Sequence, residues 1–225
     1  MEMKYMLREI DLDAVSDGRR YRQNDMVKAG CIDCKGCSDC CRNMGSSIVL
    51  DPYDCFELCK NLKESFEKLL SYAIELQVVD GIILPNLKMT GNEETCTFLN
   101  EQGRCSIHSF RPGFCRMFPL GRIYEEGGFQ YFLQVQECKM EPKTKVKIQK
   151  WLGIPDIRRY EAFVTKWHYF LKDVEKILGS FQDEASLKNI SMYLLKNFYL
   201  TPYDENQDFY IQFEERLEKA RRYFL

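Results

Sequence analysis

CIDCKGCSDCC, residues 31–41, sets Cys31, Cys34, Cys37, Cys40 and Cys41 within one short stretch. The first four stand at steps of three. At that spacing two sulfurs can turn towards one metal while the intervening amides donate to the thiolates, which is why C-x-x-C recurs in zinc and iron–sulfur sites. Adjacent residues send their side chains in different directions. Cys40 and Cys41 are therefore not expected to share one mononuclear ion without strain: either they serve two centres, or one ligates and the other has a different task.

Downstream, CTFLNEQGRCSIHSFRPGFCRMFPLGR, residues 96–122, adds Cys96, Cys105 and Cys115, and Cys138 follows. Gly103 permits the tight turn that brings Cys96 and Cys105 together. Pro112 and Pro119 fix the backbone on either side of Cys115. Arg111 and Arg116 flank the same cysteine. Four thiolates on Zn²⁺ or on an oxidised [4Fe–4S]²⁺ core leave a net charge of about −2, which a nearby guanidinium offsets while donating to sulfur. The plain alternative is that both arginines are ordinary surface ion-pairing residues.

The chain has 11 cysteines in 225 residues, an odd number that leaves one thiol over in any intramolecular disulfide scheme. The opening MEMKYMLREIDLD mixes charges from the start and has no apolar stretch of the kind a signal peptide needs. No apolar run approaches the roughly 18 residues that span a bilayer. These features point to a cytoplasmic protein, and in a reducing compartment dense cysteine reads as metal-binding or catalytic. The 32 basic and 34 acidic residues nearly balance, giving no electrostatic reason to expect a nucleic-acid partner.

Working outward, residues 1–30 form a polar lead-in with one short helix at most. SSIVL, residues 46–50, is a short strand candidate. Asp51 and Pro52 match an N-cap with proline at the first helical position, and helical character is expected to about Gln77. GIILPNLKM reads as an edge strand because of its proline. LGRIYEE and FQYFLQVQ flank Gly127-Gly128, a hairpin signal. Ile157, Tyr160, Val164, Trp167, Leu171, Val174 and Leu178 make a three–four repeat with Gly179 as candidate C-cap. Two more helices carry Leu187, Ile190, Leu194 and Phe198, then Phe213, Leu217, Ala220 and Phe224. The expected fold class is α+β: a small mixed metal-centred domain at 31–141, after the lead-in, and a helical bundle at 142–225.

Cys34, Cys37, Cys40 and Cys41 in C-x2-C-x2-CC, then C-x-F-L, then G-x-C-x-I-H-x2-R-P-x2-C-R-x-F-P and a last cysteine, resemble the YkgJ-type cysteine-cluster family, described as a zinc- or iron-chelating domain. The resemblance covers about residues 31–141. It implies eight metal ligands: Cys34, Cys37, Cys40, Cys41, Cys96, Cys105, Cys115 and Cys138. A similar domain occurs in flagellin lysine N-methylases, where an iron–sulfur cluster is implied. Cys31 is additional to the family pattern and leaves the ligand register open by one step. Tyrosine also fits the family pattern where His108 stands, which favours a positioning role for that histidine over ligation.

Other features carry less chemistry. Cys55 and Cys59 share one helix face and read as core thiols. His168 and the aromatics of the tail read as packing. Neither GxGxxG nor GxxxxGK[ST] occurs, and no acid, base or nucleophile stands out beyond the cysteines. Three functions follow as expectations: an iron–sulfur protein, a zinc-binding structural or metal-handling module, or a cluster-dependent transferase such as a protein methylase. Iron–sulfur is favoured by the adjacent cysteine pair and the all-sulfur ligand set. Whether the chain is an enzyme stays open at this point.

Overall fold

The computed structural model describes residues 11–31, 37–180 and 184–224. In chain order the elements are α1 (Leu12–Val15), β1 (Met26–Gly30), α2 (Pro52–Leu62), α3 (Phe66–Leu70), β2 (Ile74–Val79), β3 (Ile82–Leu87), β4 (Met89–Thr90) and β5 (Thr95–Cys96). There follow α4 (Gly113–Met117), β6 (Leu120–Glu125), β7 (Gly128–Leu133), β8 (Thr144–Lys147), α5 (Ile148–Leu152), α6 (Ile157–Ser180), α7 (Glu184–Leu195) and α8 (Phe209–Phe224). Short 3₁₀ turns at Asp39–Cys41 and His108–Phe110 carry residues of the site, and a π-helical turn at Lys196–Leu200 extends α7. The strands form two-stranded antiparallel pairs: β1–β8, β2–β3, β4–β5 and β6–β7. The expected α+β class is the one adopted.

Two compact units emerge. One is built from Val49–Lys88 and residues 162–224, the other from residues 11–48 and Met89–Glu161. In the first, α2 starts as expected. The Asp51 carboxylate accepts from the Asp54 amide at 2.8 Å, and the Asp54 carboxylate accepts from the Asp51 amide at 3.2 Å. Two otherwise orphaned donors are thereby satisfied. The helix does not reach Gln77. It stops at Leu62, where Lys63 turns left-handed, and Ser65 caps the separate helix α3. Residues 74–79 are strand instead, paired with β3 through the turn Asp80-Gly81, both at positive φ. Asp-Gly between apolar runs is a strong hairpin signal, and the pairing it sets up takes residues 74–77 out of the expected helix. Pro85 sits opposite Leu76, and in a two-stranded pair every strand is an edge, so the proline is tolerated. The strand expected at SSIVL reduces to one bridge, Val49 to Asn86.

Aromatic rings fill this unit. Phe163 meets Phe213 edge-on at 4.6 Å, and Trp167 lies 4.8 Å from Phe198. These rings project from α6, the π turn and α8 at three–four spacing and are core, whereas Trp151 on α5, read with them as packing, is only half-buried. Cys55 is buried and Cys59 half-buried on α2. His168 is buried on α6. Helix α6 runs through Gly179 to Ser180, so the glycine is not its C-cap. Among the described residues no helix is long and apolar enough to cross a membrane.

In the second unit, β6 and β7 form the expected hairpin, but its two loop residues are Glu126 and Gly127, because Gly128 already pairs with Glu125. Gly121 is required for a different reason. A Cβ there would stand 2.2 Å from the Phe132 ring, which crosses the space opposite it. Strand β1, unforeseen in the polar lead-in, pairs with β8 at Met26–Lys147 and Val27–Val146. Val27 and Ala29 face inwards while Met26 and Lys28 do not, a short alternation hidden among polar neighbours.

Candidate metal centre

The 3₁₀ turn Asp39–Cys41 presents Cys40 and Cys41, and Arg42 ties it down. The Arg42 guanidinium donates to Glu93 at 2.7 Å, to the Thr95 hydroxyl at 3.2 Å and to Ser38 at 3.1 Å. Arg42 also forms a backbone bridge with Thr95, and the Asn43 amide donates to the Glu94 carbonyl at 2.9 Å. Cys41 and Cys96 each adjoin one end of that bridge, so the backbone itself draws the two halves of the motif together. Arg42 was missed in the sequence because its partners lie more than fifty positions away, at Glu93 and Thr95.

Cys96 and Cys105 are joined by a tight loop. The Asn100 carboxamide oxygen accepts from the amides of Gln102 at 3.1 Å and Arg104 at 2.8 Å. Gly103 sits at φ +67°, the left-handed conformation it was expected to supply. Leu99 then bridges to Cys105, and the Ser106 amide donates to the Phe98 carbonyl at 2.8 Å. The next turn is held by two arginines. Arg111 donates to the His108 carbonyl at 2.8 Å and lies against both His108 ring nitrogens. Arg116 donates to the Arg111 carbonyl at 2.9 Å and the Ser109 carbonyl at 2.6 Å.

The thiols are linked through Cys40, which adjoins Cys41, acts on Cys96 and Cys105, and lines a concavity with Cys31, Cys37 and Cys138. Cys40 and Cys41 share a hydrogen bond, and Cys41 feels Cys40, Cys105 and Cys96. Cys138 instead feels Cys31 and Cys37. Cys31, Cys37, Cys40 and Cys138 line one concavity, walled elsewhere by Phe118, Pro119, Met140 and Trp151. The Trp151 indole N–H is anchored on the Phe118 carbonyl at 3.2 Å, and Lys139 reaches Asp39 at 3.7 Å across the same hollow. Cys115 sits half-buried on α4, and Cys34 lies outside the described residues. Every described cysteine is a thiol, and none forms a disulfide.

Electrostatics explain what such a thiol set requires. The hydrogen bond from Cys41 lowers the Cys40 pKa, helped by the Arg111 charge, and the same bond together with burial holds Cys41 protonated. Burial raises the pKa of Cys96, Cys105 and Cys138, with Arg111 opposing the rise at Cys105. Buried sulfurs give up their protons readily only when a cation replaces them, and a coordinated metal does so.

Residues 33–150 match the family model "CxxCxxCC: Putative zinc- or iron-chelating domain". The chain belongs to the CxxCxxCC family. The match spans more than half of the 225 residues. No curated protein and no solved structure matches the chain.

The donor set of this CxxCxxCC domain suits a soft metal, because sulfur dominates and the His108 ring is already engaged by Arg111. Among the described residues no three His, Cys, Asp or Glu side chains converge so as to hold a single ion. Zinc binds sulfur at ~2.3 Å, which would draw four ligand sulfurs to within ~3.8 Å of one another. A polynuclear cluster brings its own sulfides, and its cysteines stand farther apart.

Proposed function

We propose that this CxxCxxCC protein is a cytoplasmic iron–sulfur protein. The observation that carries the reading is an all-sulfur constellation centred on the adjacent pair Cys40 and Cys41, with Cys96 and Cys105 acting on it. Cys34, Cys37, Cys40, Cys41, Cys96, Cys105, Cys115 and Cys138 are the proposed ligands, with Arg111 and Arg116 in support. Arg111, whose charge acts on both Cys40 and Cys105, offsets thiolate charge. Arg116 fixes the loop that positions Arg111. Trp151 and the Phe118-Pro119 step give the hollow beside the thiols an apolar wall. When bound, a cluster supplies one-electron redox chemistry or a rigid cross-link.

Zinc is the second reading, favoured by the three-residue steps from Cys31 to Cys40. Metal analysis of protein purified without oxygen, nickel resin or added metal separates the two. Iron at about two to four atoms or more per chain, with matching acid-labile sulfide, is the expected result. Zinc at about one or two atoms without sulfide would overturn the iron–sulfur reading.

A further inference from the structure

Strands β1 and β8 pair with Met26 opposite Lys147 and Val27 opposite Val146. A bulge then sets Lys28 and Ala29 together against Lys145, before Gly30 meets Thr144. Directly opposed residues share one face of a two-stranded sheet. Val27 and Ala29 are buried and Val146 is half-buried, which turns Met26, Lys28, Lys145 and Lys147 to the other face, and all four are exposed. This face is positive throughout, since neither strand contains an acidic residue. The carboxylates that precede the two strands are engaged: Asp25 accepts from the Arg22 amide at 2.7 Å, and Glu141 pairs with Lys143 at 3.5 Å. Among the described residues Lys28, Lys145 and Lys147 make no ion pair. Like charges gathered on one face of a strand pair repel, and here they gather in a chain whose formal charge is −2.

We infer that this face of β1–β8 is a docking surface for an acidic protein segment, whose carboxylates supply the charge that the face lacks. Complementary charge of this kind steers a partner to one patch of an otherwise balanced surface. A protein fits the face better than a nucleic acid does. Neither strand carries an arginine or an aromatic residue, and the large exposed hydrophobics of this unit are Met26 and Val135, so no exposed ring offers a base a stacking platform. Met26 instead adds an apolar spot beside the lysines. The ribbon also leads straight into the thiol site, because Gly30 is followed by Cys31, which lines the hollow with Cys138 and Lys139. A partner docked along β1 therefore lies within about one strand length, ~17 Å, of Cys31. The inference stands apart from the iron–sulfur reading and from which metal is bound.

The test uses the full metal-loaded chain and a fluorescent poly-L-glutamate of about 20 residues, long enough at ~3.3 Å per residue to follow the whole ribbon. Anisotropy titrations compare wild type with Lys28→Gln/Lys145→Gln/Lys147→Gln. A control, Lys68→Gln/Lys176→Gln/Lys219→Gln, removes as many exposed lysines from the aromatic unit. Wild type and control are expected to bind alike, and the ribbon variant about tenfold or more weakly at low salt, with the gap closing as salt is added. Arginine at the same three ribbon positions should keep the binding, which decides the question if the glutamine variant fails to fold. Absent binding in wild type overturns the inference. Equal binding by wild type and ribbon variant does so too, and leaves these lysines only the task of guarding open strand edges. Equal loss in ribbon variant and control overturns it as unspecific charge attraction. Tighter binding of an oligothymidylate of the same length overturns it in favour of a nucleic acid.

Discussion

The two units solve the problem of stability with different materials. The unit of Val49–Lys88 and residues 162–224 stacks Phe163, Trp167, Phe198, Phe209 and Phe213 behind long helices. The unit of residues 11–48 and Met89–Glu161 has two-stranded pairs, 3₁₀ turns and loops, and it gathers thiols where the other gathers rings. Ring packing is self-sufficient, because each aromatic buried removes apolar surface from water. Thiol packing is not: a half-buried sulfur contributes little as a small hydrophobe, and its larger contribution comes on binding metal. The comparison teaches that the first unit should tolerate loss of metal and the second should not.

The largest expected effect breaks the molecule along that line. Chelation under reducing conditions should strip hydrogen-exchange protection from residues 37–48 and 89–140 while α6 and α8 keep theirs. The magnitude is large because structural zinc in small domains contributes ~10–16 kcal/mol. Equal loss in both units, or in neither, would end the distinction. Next, Phe213→Ala should destabilise the aromatic unit by about 3–5 kcal/mol, since a fully buried ring flanked by Phe163 and Phe198 leaves a cavity. Metal content per folded chain should stay constant, and a fall in it would show that the units are not independent.

Smaller changes sharpen the comparison. Arg116→Ala removes bonds to the Ser109 and Arg111 carbonyls and should cost the thiol unit about 1–3 kcal/mol, read as a lower urea midpoint of the metal-bound protein. Arg116→Lys should recover little, because lysine cannot donate along a planar fork. Asp51→Ala should be the mildest, about 1 kcal/mol from loss of the capping box, visible as a lower melting temperature of α2 with unchanged metal. A melting temperature equal to that of wild type would mean that the cap is redundant.

Much of this was legible beforehand wherever the deciding force is local. Asp51-Pro52 caps a helix because the orphaned amides are three residues away. Gly103 marks a turn because only a residue without Cβ sits easily at positive φ. The repeat from Ile157 to Leu178 marks α6 because one face must be apolar. The family motif was readable for the same reason, since C-x-x-C steps and R-P-x2-C-R are short-range patterns. Asp80-Gly81 was equally local but was masked by an apolar period that suits a helix and a strand pair alike.

What the sequence could not determine are pairings between distant segments, where the deciding energy arises only once the chain has closed a long loop. The sequence alone named the cysteines, the α+β class and the aromatic helices. Tertiary structure decided that Val49–Lys88 packs with the C-terminal helices and that β1 pairs with β8. It also decided that Arg42 grips residues 93–95, and that Cys31, Cys37, Cys40 and Cys138 line one hollow. Spacing along a chain limits which sulfurs can meet, but which of them do meet is set by the backbone bridges that fold one segment onto another.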